Sequence, residues 1–286
     1  MKMNHMRKLL LLLAIFAATG CASSDKPAAP VSVMSFNIRY ANTHDGENAW
    51  VNRKEAVVRM LDDVRPAILG IQEGLADQVA YLDSALTGYE FAGVGRDDGM
   101  MAGEYAAIFY DTTRFQKISS GNFWLSETPA EPTMGWDAVC IRIATWVKLR
   151  DKQNNRDLAF INTHFDHVGR AARLHSAQMI ADSIASIGAG VPMVITGDFN
   201  SEVDDPALKV ITETPSVFEV RAMVGDVGQG PDYTFMGFEG NPDDRSLIDH
   251  IFVKGMKAQS YKVIADTYGI PQLSDHLPVF AVLEYE

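Results

Sequence analysis

The sequence predicts an α/β domain of two stacked sheets, each covered by helices on its outer face. Two observations predict it. Short apolar runs of strand character recur along the whole chain, and only a few helical periodicities lie between them. A third fixes the count at one domain, because nothing from residue 31 to residue 286 reads as a linker, a charge block or a short repeat.

In chain order, the first element is not part of the fold. Lys2, Arg7 and Lys8 precede an apolar run over residues 9–18 that ends in Ala18-Thr19-Gly20-Cys21. A positive start, a short apolar stretch and small residues before a cut describe a secretory signal over residues 1–20. The run is far shorter than the ~20 residues of a spanning helix. A cysteine after Ala-Thr-Gly resembles the bacterial lipobox, which makes Cys21 a candidate lipidation site; Ala18 stands where Leu is commoner. The alternative is an ordinary signal peptide with a chance cysteine. Residues 21–30, rich in Ala, Ser and Pro, read as a flexible tether, and residues 31–286 as the domain.

Strands are expected at 31–38, 67–71, 106–110, 143–149, 158–163, 191–196, 248–253 and 279–285, each an apolar run of strand length. Val57, Met60, Leu61 and Val64 recur at helical spacing, on a helix that Pro66 terminates. Ala177, Ile180, Ile184 and Ile187 mark a second helix, ending before the turn at 188–192.

Composition narrows the function classes. The chain is 47% hydrophobic, 9% aromatic and 22% charged, which excludes a disordered chain. Two cysteines exclude a disulfide scaffold or a zinc ribbon, and Cys140, between Val139 and Ile141, reads as a buried small hydrophobe. Loss of Lys2, Arg7 and Lys8 takes the net charge from −12 to −15. Such a surface does not hold nucleic acid by broad electrostatics. It leaves room for an enzyme that meets phosphate through divalent cations.

Six groups of acids, amides or histidines stand at predicted strand termini. These are Asn37; Gln72-Glu73; Asn162-Thr163-His164; Gly197-Asp198-Phe199-Asn200; Ile248-Asp249-His250; and Ser274-Asp275-His276. Singly, each is a turn former or helix cap. Together, at the ends of strands that share a sheet edge, they converge on one pocket. The oxygen donors Asn37, Glu73, Asp198, Asn200, Asp249 and Asp275 suit Mg²⁺ or Mn²⁺, and the lack of a His-x-x-x-His or Cys cluster disfavours zinc. His164 and His276 supply donors or proton carriers, and Asp249 is placed to orient His276. With no candidate serine or cysteine nucleophile, the set points to water attacking phosphorus.

This ordered series resembles the endonuclease/exonuclease/phosphatase superfamily, which includes deoxyribonucleases, inositol polyphosphate 5-phosphatases, sphingomyelinases and deadenylases. The resemblance covers residues 31–286 and implies a four-layer α/β sandwich with two central mixed β-sheets flanked by helices. It implies that Glu73 is the principal Mg²⁺ (or Mn²⁺) ligand, with Asn37 binding metal or phosphate oxygen beside it and Asp275 assisting the metal site. Asp198 would position or deprotonate the attacking water and Asn200 would align the scissile phosphate. His276, paired with Asp249, would stabilise the pentacovalent phosphorane or shuttle a proton, and His164 would donate to a phosphoryl oxygen.

The substrate is expected to be a small soluble phosphoester, mono- or diester. The alternatives are an extracellular nuclease, a sphingomyelinase-like phospholipase, or a catalytically silent surface lipoprotein that only binds. Further segments, among them Gly103-Glu104-Tyr105, Arg142-Ile143-Ala144-Thr145-Trp146 and Phe165-Asp166-His167, look like a subgroup of bacterial lipoproteins. Arg39, Arg142 and Tyr105 are the candidate substrate contacts; for the two arginines the alternative is a surface or capping salt bridge. Trp50, Trp124 and Trp136 are either stacking platforms or core, and loops at 225–231 and 239–245 are expected to border the cleft. A monomer at the cell envelope, held by its lipid, with no stable nucleic-acid complex, completes the expectation.

Overall fold

A computed structural model describes residues 28–225 and 230–286. The predicted signal, Cys21 and most of the predicted tether lie outside the described residues. The strands are β1 (Val31–Asn37), β2 (Ile68–Gln72), β3 (Tyr89–Ala92), β4 (Ile108–Asp111), β5 (Phe115–Trp124) and β6 (Ile143–Asp151). They continue as β7 (Arg156–His164), β8 (Met193–Asp198), β9 (Val217–Glu219), β10 (Asp249–Lys254), β11 (Met256–Val263) and β12 (Val279–Tyr285). The helices are α1 (Trp50–Val64), α2 (Ala76–Ala85), α3 (Arg170–Ser186), α4 (Pro206–Thr212) and α5 (Val220–Val224).

The strands make two six-stranded sheets, ordered β11-β12-β1-β2-β4-β3 and β5-β6-β7-β8-β10-β9. Both are mixed to one plan: the central pair is parallel, β1 with β2 and β7 with β8, and all other neighbours are antiparallel. The sheets stack with β1 over β8 and β2 over β7.

Strand alternation sends successive side chains to opposite layers. On β1, Val31 and Val33 enter the core between the sheets, whereas Met34 and Phe36 face the helical layer. There Val57, Met60 and Leu61 of α1 pack with Val79 and Leu82 of α2. The second sheet is covered by Ala177, Ile180 and Ile184 of α3 and Leu208 and Ile211 of α4. Two helical layers around two sheets give the four-layer sandwich. Helix α1 stops at Arg65, a left-handed residue (φ 49°) before Pro66, because the residue before proline avoids helical geometry.

The packed chain begins before Val31. Ala29 N donates to Asn154 Oδ1 at 2.7 Å, and Arg114 donates to the carbonyls of Ala29 and Pro30. Arg114 is held in turn by buried Asp151, which also accepts from Tyr285 Oη at 3.0 Å and Asn154 Nδ2 at 2.8 Å. This latch lies at the end of β1 opposite Asn37.

Candidate active site

Toward one end of the central strands, the residues facing the opposite sheet change from apolar to polar. On β1 they run Val33, Ser35, Asn37; on β2, Ile68, Gly70, Gln72; on β7, Phe160, Asn162, His164; on β8, Val194, Thr196, Asp198. A buried polar belt replaces the core there. Gln72 Nε2 donates to Asn162 Oδ1 (2.6 Å), and Asn162 Nδ2 donates to the carbonyls of Ile71 (2.7 Å) and Ala107 (3.0 Å) in the other sheet. Thr196 Oγ1 lies 3.0 Å from the same Asn162 oxygen. Gly70 permits this approach, since a Cβ there would stand 2.4 Å from Thr196 Oγ1 and 2.6 Å from Asn162 Oδ1.

Above the belt opens a cleft of about 840 Å³, within the usual size of a small-molecule site. Three strands deliver their residues through left-handed, non-glycine positions just past the strand end: Arg39 (φ 56°), Glu73 (φ 63°) and Asn200 (φ 48°). Each such position costs roughly 1–2 kcal/mol and persists because the surroundings fix it. Gln78 Oε1 accepts from Ala41 N at 2.7 Å, and buried Arg53 donates to the carbonyls of Ile38 and Leu273, so the loop after β1 is held from two sides.

The centre of the cleft is Asp198. Its Oδ2 accepts from Asn37 Nδ2 at 2.9 Å and lies 3.4 Å from His164 Nε2 and 3.6 Å from His276 Nε2. Its Oδ1 accepts from Asn200 N at 2.9 Å. His276 Nδ1 is 2.8 Å from Asp249 Oδ2. Burial pushes the Asp198 carboxyl up to about 7, against the pull of charged His276. Burial also disfavours a charge on His276, but Asp249 and Asp198 outweigh it and hold the imidazole well above its usual range. His164 is the opposite case: burial, then Arg142 and Arg96, keep it neutral. The two histidines therefore differ in charge, with His276 the imidazolium donor.

Glu73, Asp198 and His164 each bring a ligand atom within 4.8 Å of the others. Two carboxylates at the wall of a solvent-filled cleft fit a hard divalent cation, which takes oxygen ligands and retains water. Asp275, raised by burial, adds a third carboxylate near Arg39 Nη1 (3.7 Å), which is itself 3.9 Å from Glu73 Oε2. Asn37 stands beside Glu73, between it and Asp198. It is fully buried, its Oδ1 accepts from Arg39 N, and its Nδ2 is shared by Glu73 Oε1 (3.1 Å) and Asp198. It spaces the two carboxylates.

Of the candidate substrate contacts, Arg39 and Arg142 line the cleft and Tyr105 does not. The Tyr105 hydroxyl donates to Met100 O at 2.9 Å and its ring belongs to the outer core. Its neighbour Glu104 lines the cleft instead, gripped by Arg96 at 2.6 and 2.9 Å, with its carboxylate 3.8 Å from His164 Nδ1. Arg142 is held by Asp166 Oδ2 (3.4 Å) and His167 Nδ1 (3.0 Å), and its buried Nη1 has no partner among the described residues. Asp166 also accepts from the backbone of Val139, Cys140, Val168 and Gly169, so the Phe165-Asp166-His167 segment is an organised corner.

Cys140 is partly exposed and lines the cleft, contrary to the buried position expected of it. None of Trp50, Trp124 or Trp136 lines it: Trp50 packs beside α2, Trp124 Nε1 donates to Arg96 O, and Trp136 stacks on His175 at 4.6 Å. The far wall is Phe235, Phe238, Glu239, Asn241 and Asp244, so the loop at 239–245 does border the cleft.

The family described as Endonuclease/Exonuclease/phosphatase matches the chain over residues 34–276. An endonuclease/exonuclease/phosphatase from Bacteroides vulgatus superposes with a TM-score of 0.86 at 41% identity, covering 90% of this chain and 100% of that one. A protein of the same family from Bacteroides thetaiotaomicron gives 0.85 at 34% identity, covering 90% and 96%. The mannosyl-6-phosphatase of Bacteroides thetaiotaomicron gives 0.83 at 34% identity, covering 89% and 100%.

Proposed function

Because the chain belongs to the endonuclease/exonuclease/phosphatase family and is a phosphoester hydrolase, we propose that it acts on a small soluble phosphate ester, a sugar monophosphate foremost, with Mg²⁺ or Mn²⁺ bound. The observation that carries this reading is the lining of the cleft. Beside the cationic Arg39 and Arg142 and the histidines His164 and His276 stand the carboxylates Glu73, Glu104, Asp198 and Asp275, and the far wall adds Glu239, Asn241 and Asp244. A polyanion meets repulsion at that wall, whereas a neutral polyol finds acceptors for its hydroxyls. The likeness to a mannosyl-6-phosphatase supports the same class.

Glu73, with Asp275, would hold the cation, which when bound supplies a Lewis acid for a phosphoryl oxygen. The chain's own residues do the rest. Asp198 receives a proton from the attacking water as the general base of the site. His276, charged and aligned by Asp249, presents Nε2–H to the oxygen on which negative charge grows. Neutral His164 gives a further contact to the phosphoryl group. Asn200, pinned through Nδ2 to Phe165 O at 3.0 Å, keeps its second amide hydrogen for a substrate oxygen. Arg142, which lines the cleft, gives the phosphoryl group a further cationic partner.

The test is phosphate or product release from mannose 6-phosphate, bis(p-nitrophenyl) phosphate, duplex DNA and sphingomyelin vesicles, each with Mg²⁺, Mn²⁺ or EDTA. The expected outcome is the highest kcat/KM on the sugar monophosphate, lost in EDTA. Faster turnover of DNA or sphingomyelin, or activity that ignores EDTA, overturns the assignment. The proposal extends to the first residues of the chain: removal of residues 1–20, lipidation of Cys21 and residence of a monomer at the cell envelope. Metabolic labelling with a fatty acid should mark the wild type and not Cys21→Ser.

A further inference from the structure

The pair Asp249–His276 joins the two halves of the sandwich. Asp249 opens β10 in the second sheet, and His276 precedes β12 in the first, so no ladder of strand hydrogen bonds sets their separation. A short ribbon at 234–236 runs between them. Thr234 is fully buried, and its Oγ1 accepts from the N–H groups of both Ile248 and Asp249 at 3.1 Å. Its carbonyl accepts from Leu277 N at 2.7 Å, one residue past His276. Phe235 pairs with His276 across an isolated antiparallel bridge, its ring 5.0 Å from the imidazole at 60°. Met236 N donates to Asp275 O at 3.0 Å, and Thr234 N and Phe235 N both reach Ser246 O at 2.9 Å.

We infer that Thr234 is a positioning residue for the reaction proposed above: its hydroxyl oxygen and its carbonyl tie the backbone of Asp249 to the backbone beside His276. Phe235 fixes the plane of the imidazole from the other side. A 2.8 Å hydrogen bond between side chains on two different sheets survives only if their backbones are held to a few tenths of an ångström. Removing the hydroxyl leaves two buried N–H groups without a partner, and the chain at Ile248 and Asp249 must shift to satisfy them. Asp249 carries its carboxylate with it, and His276 loses its orientation.

The test is a double-mutant cycle on the full protein, with mannose 6-phosphate and Mg²⁺ as the assay and the downfield Nδ1 proton resonance of His276 as a readout independent of turnover. Thr234→Val should lower kcat about tenfold to a hundredfold with KM changed less than about twofold, and should shift or abolish the resonance. Thr234→Ser should restore both. In a His276→Ala background, Thr234→Val should cost less than about twofold, because the residue acts through the pair. Equal losses in both backgrounds, an unmoved resonance, or failure of the serine variant to rescue overturns the inference. Where Thr234→Val does not fold, Phe235→Leu enters the same cycle with the same expectation. If His276→Ala itself keeps wild-type turnover, the reaction scheme fails and this inference falls with it. If His276→Ala is impaired and the cycle is additive, only this inference falls.

Discussion

One oxygen of Asp198 accepts from Asn37 and is faced by two histidines held in opposite charge states. Asp198→Asn and His276→Ala should each lower kcat by about 10²- to 10⁴-fold in steady-state assays, the range for loss of a proton-transfer group or preorganised donor. The raised carboxyl also sets a stability profile. A group whose folded pKa lies above its unfolded value contributes stability fully present below the unfolded pKa and lost as pH rises through the folded one. For Asp198 that window runs from the ordinary carboxylate range up to about 7. In EDTA, the Tm of Asp198→Asn relative to wild type should therefore climb between pH 4 and pH 7, and added Mg²⁺ should narrow the difference. A flat difference across that range counts against the burial argument. Sequence locates most of these residues because strand ends are legible; Tyr105 is the exception. Glu104 faces the cleft in its place, since consecutive residues of extended chain point to opposite sides and no pattern marks which side is inward.

Strands were found or missed according to their place in the sheets. The eight predicted runs correspond to β1, β2, β4, β6, β7, β8, β10 and β12. The four missed strands, β3, β5, β9 and β11, are the four sheet edges. The inner strands carry several buried apolar residues each, whereas the edges are very short, as β9 is with 3 residues, or exposed along most of their length, as β5 is between Phe115 and Trp124. Helix α4, only 7 residues long, offers too few turns for a period to show. The polar belt between β2 and β7 makes a prediction of its own. Gly70→Ala forces a Cβ against Thr196 and Asn162, an overpacking that costs roughly 1–3 kcal/mol. It should lower the Tm by several degrees and reduce kcat together, because the belt carries Gln72 and Asn162 directly beneath the site.

For the whole molecule, stability and catalysis are separable by position. Asp151 is completely buried with Arg114, and breaking such a pair by removing one partner costs about 3–5 kcal/mol. Asp151→Ala should lower the Tm by about 6–15 °C in thermal melts while kcat at 25 °C stays within about twofold. A loss of turnover without a loss of Tm would contradict the division. The net charge of −12 bears on partners in the same global way: duplex DNA should show no retention at physiological salt.

The position of that latch has a practical consequence. Strand β1 has 7 residues, so at about 3.3 Å per residue the bonds at Ala29 and the carboxylates at its far end stand roughly 20 Å apart. Tyr285, the last residue of the antiparallel β12, reaches the same latch. The described residues thus begin and end at one pole, and the cleft lies toward the other. A bead, a carrier protein or a bilayer attached ahead of Ala29 would stand behind the enzyme as a floor. The opening would look outward into the medium, free to collect diffusing molecules and turned away from anything embedded in the support.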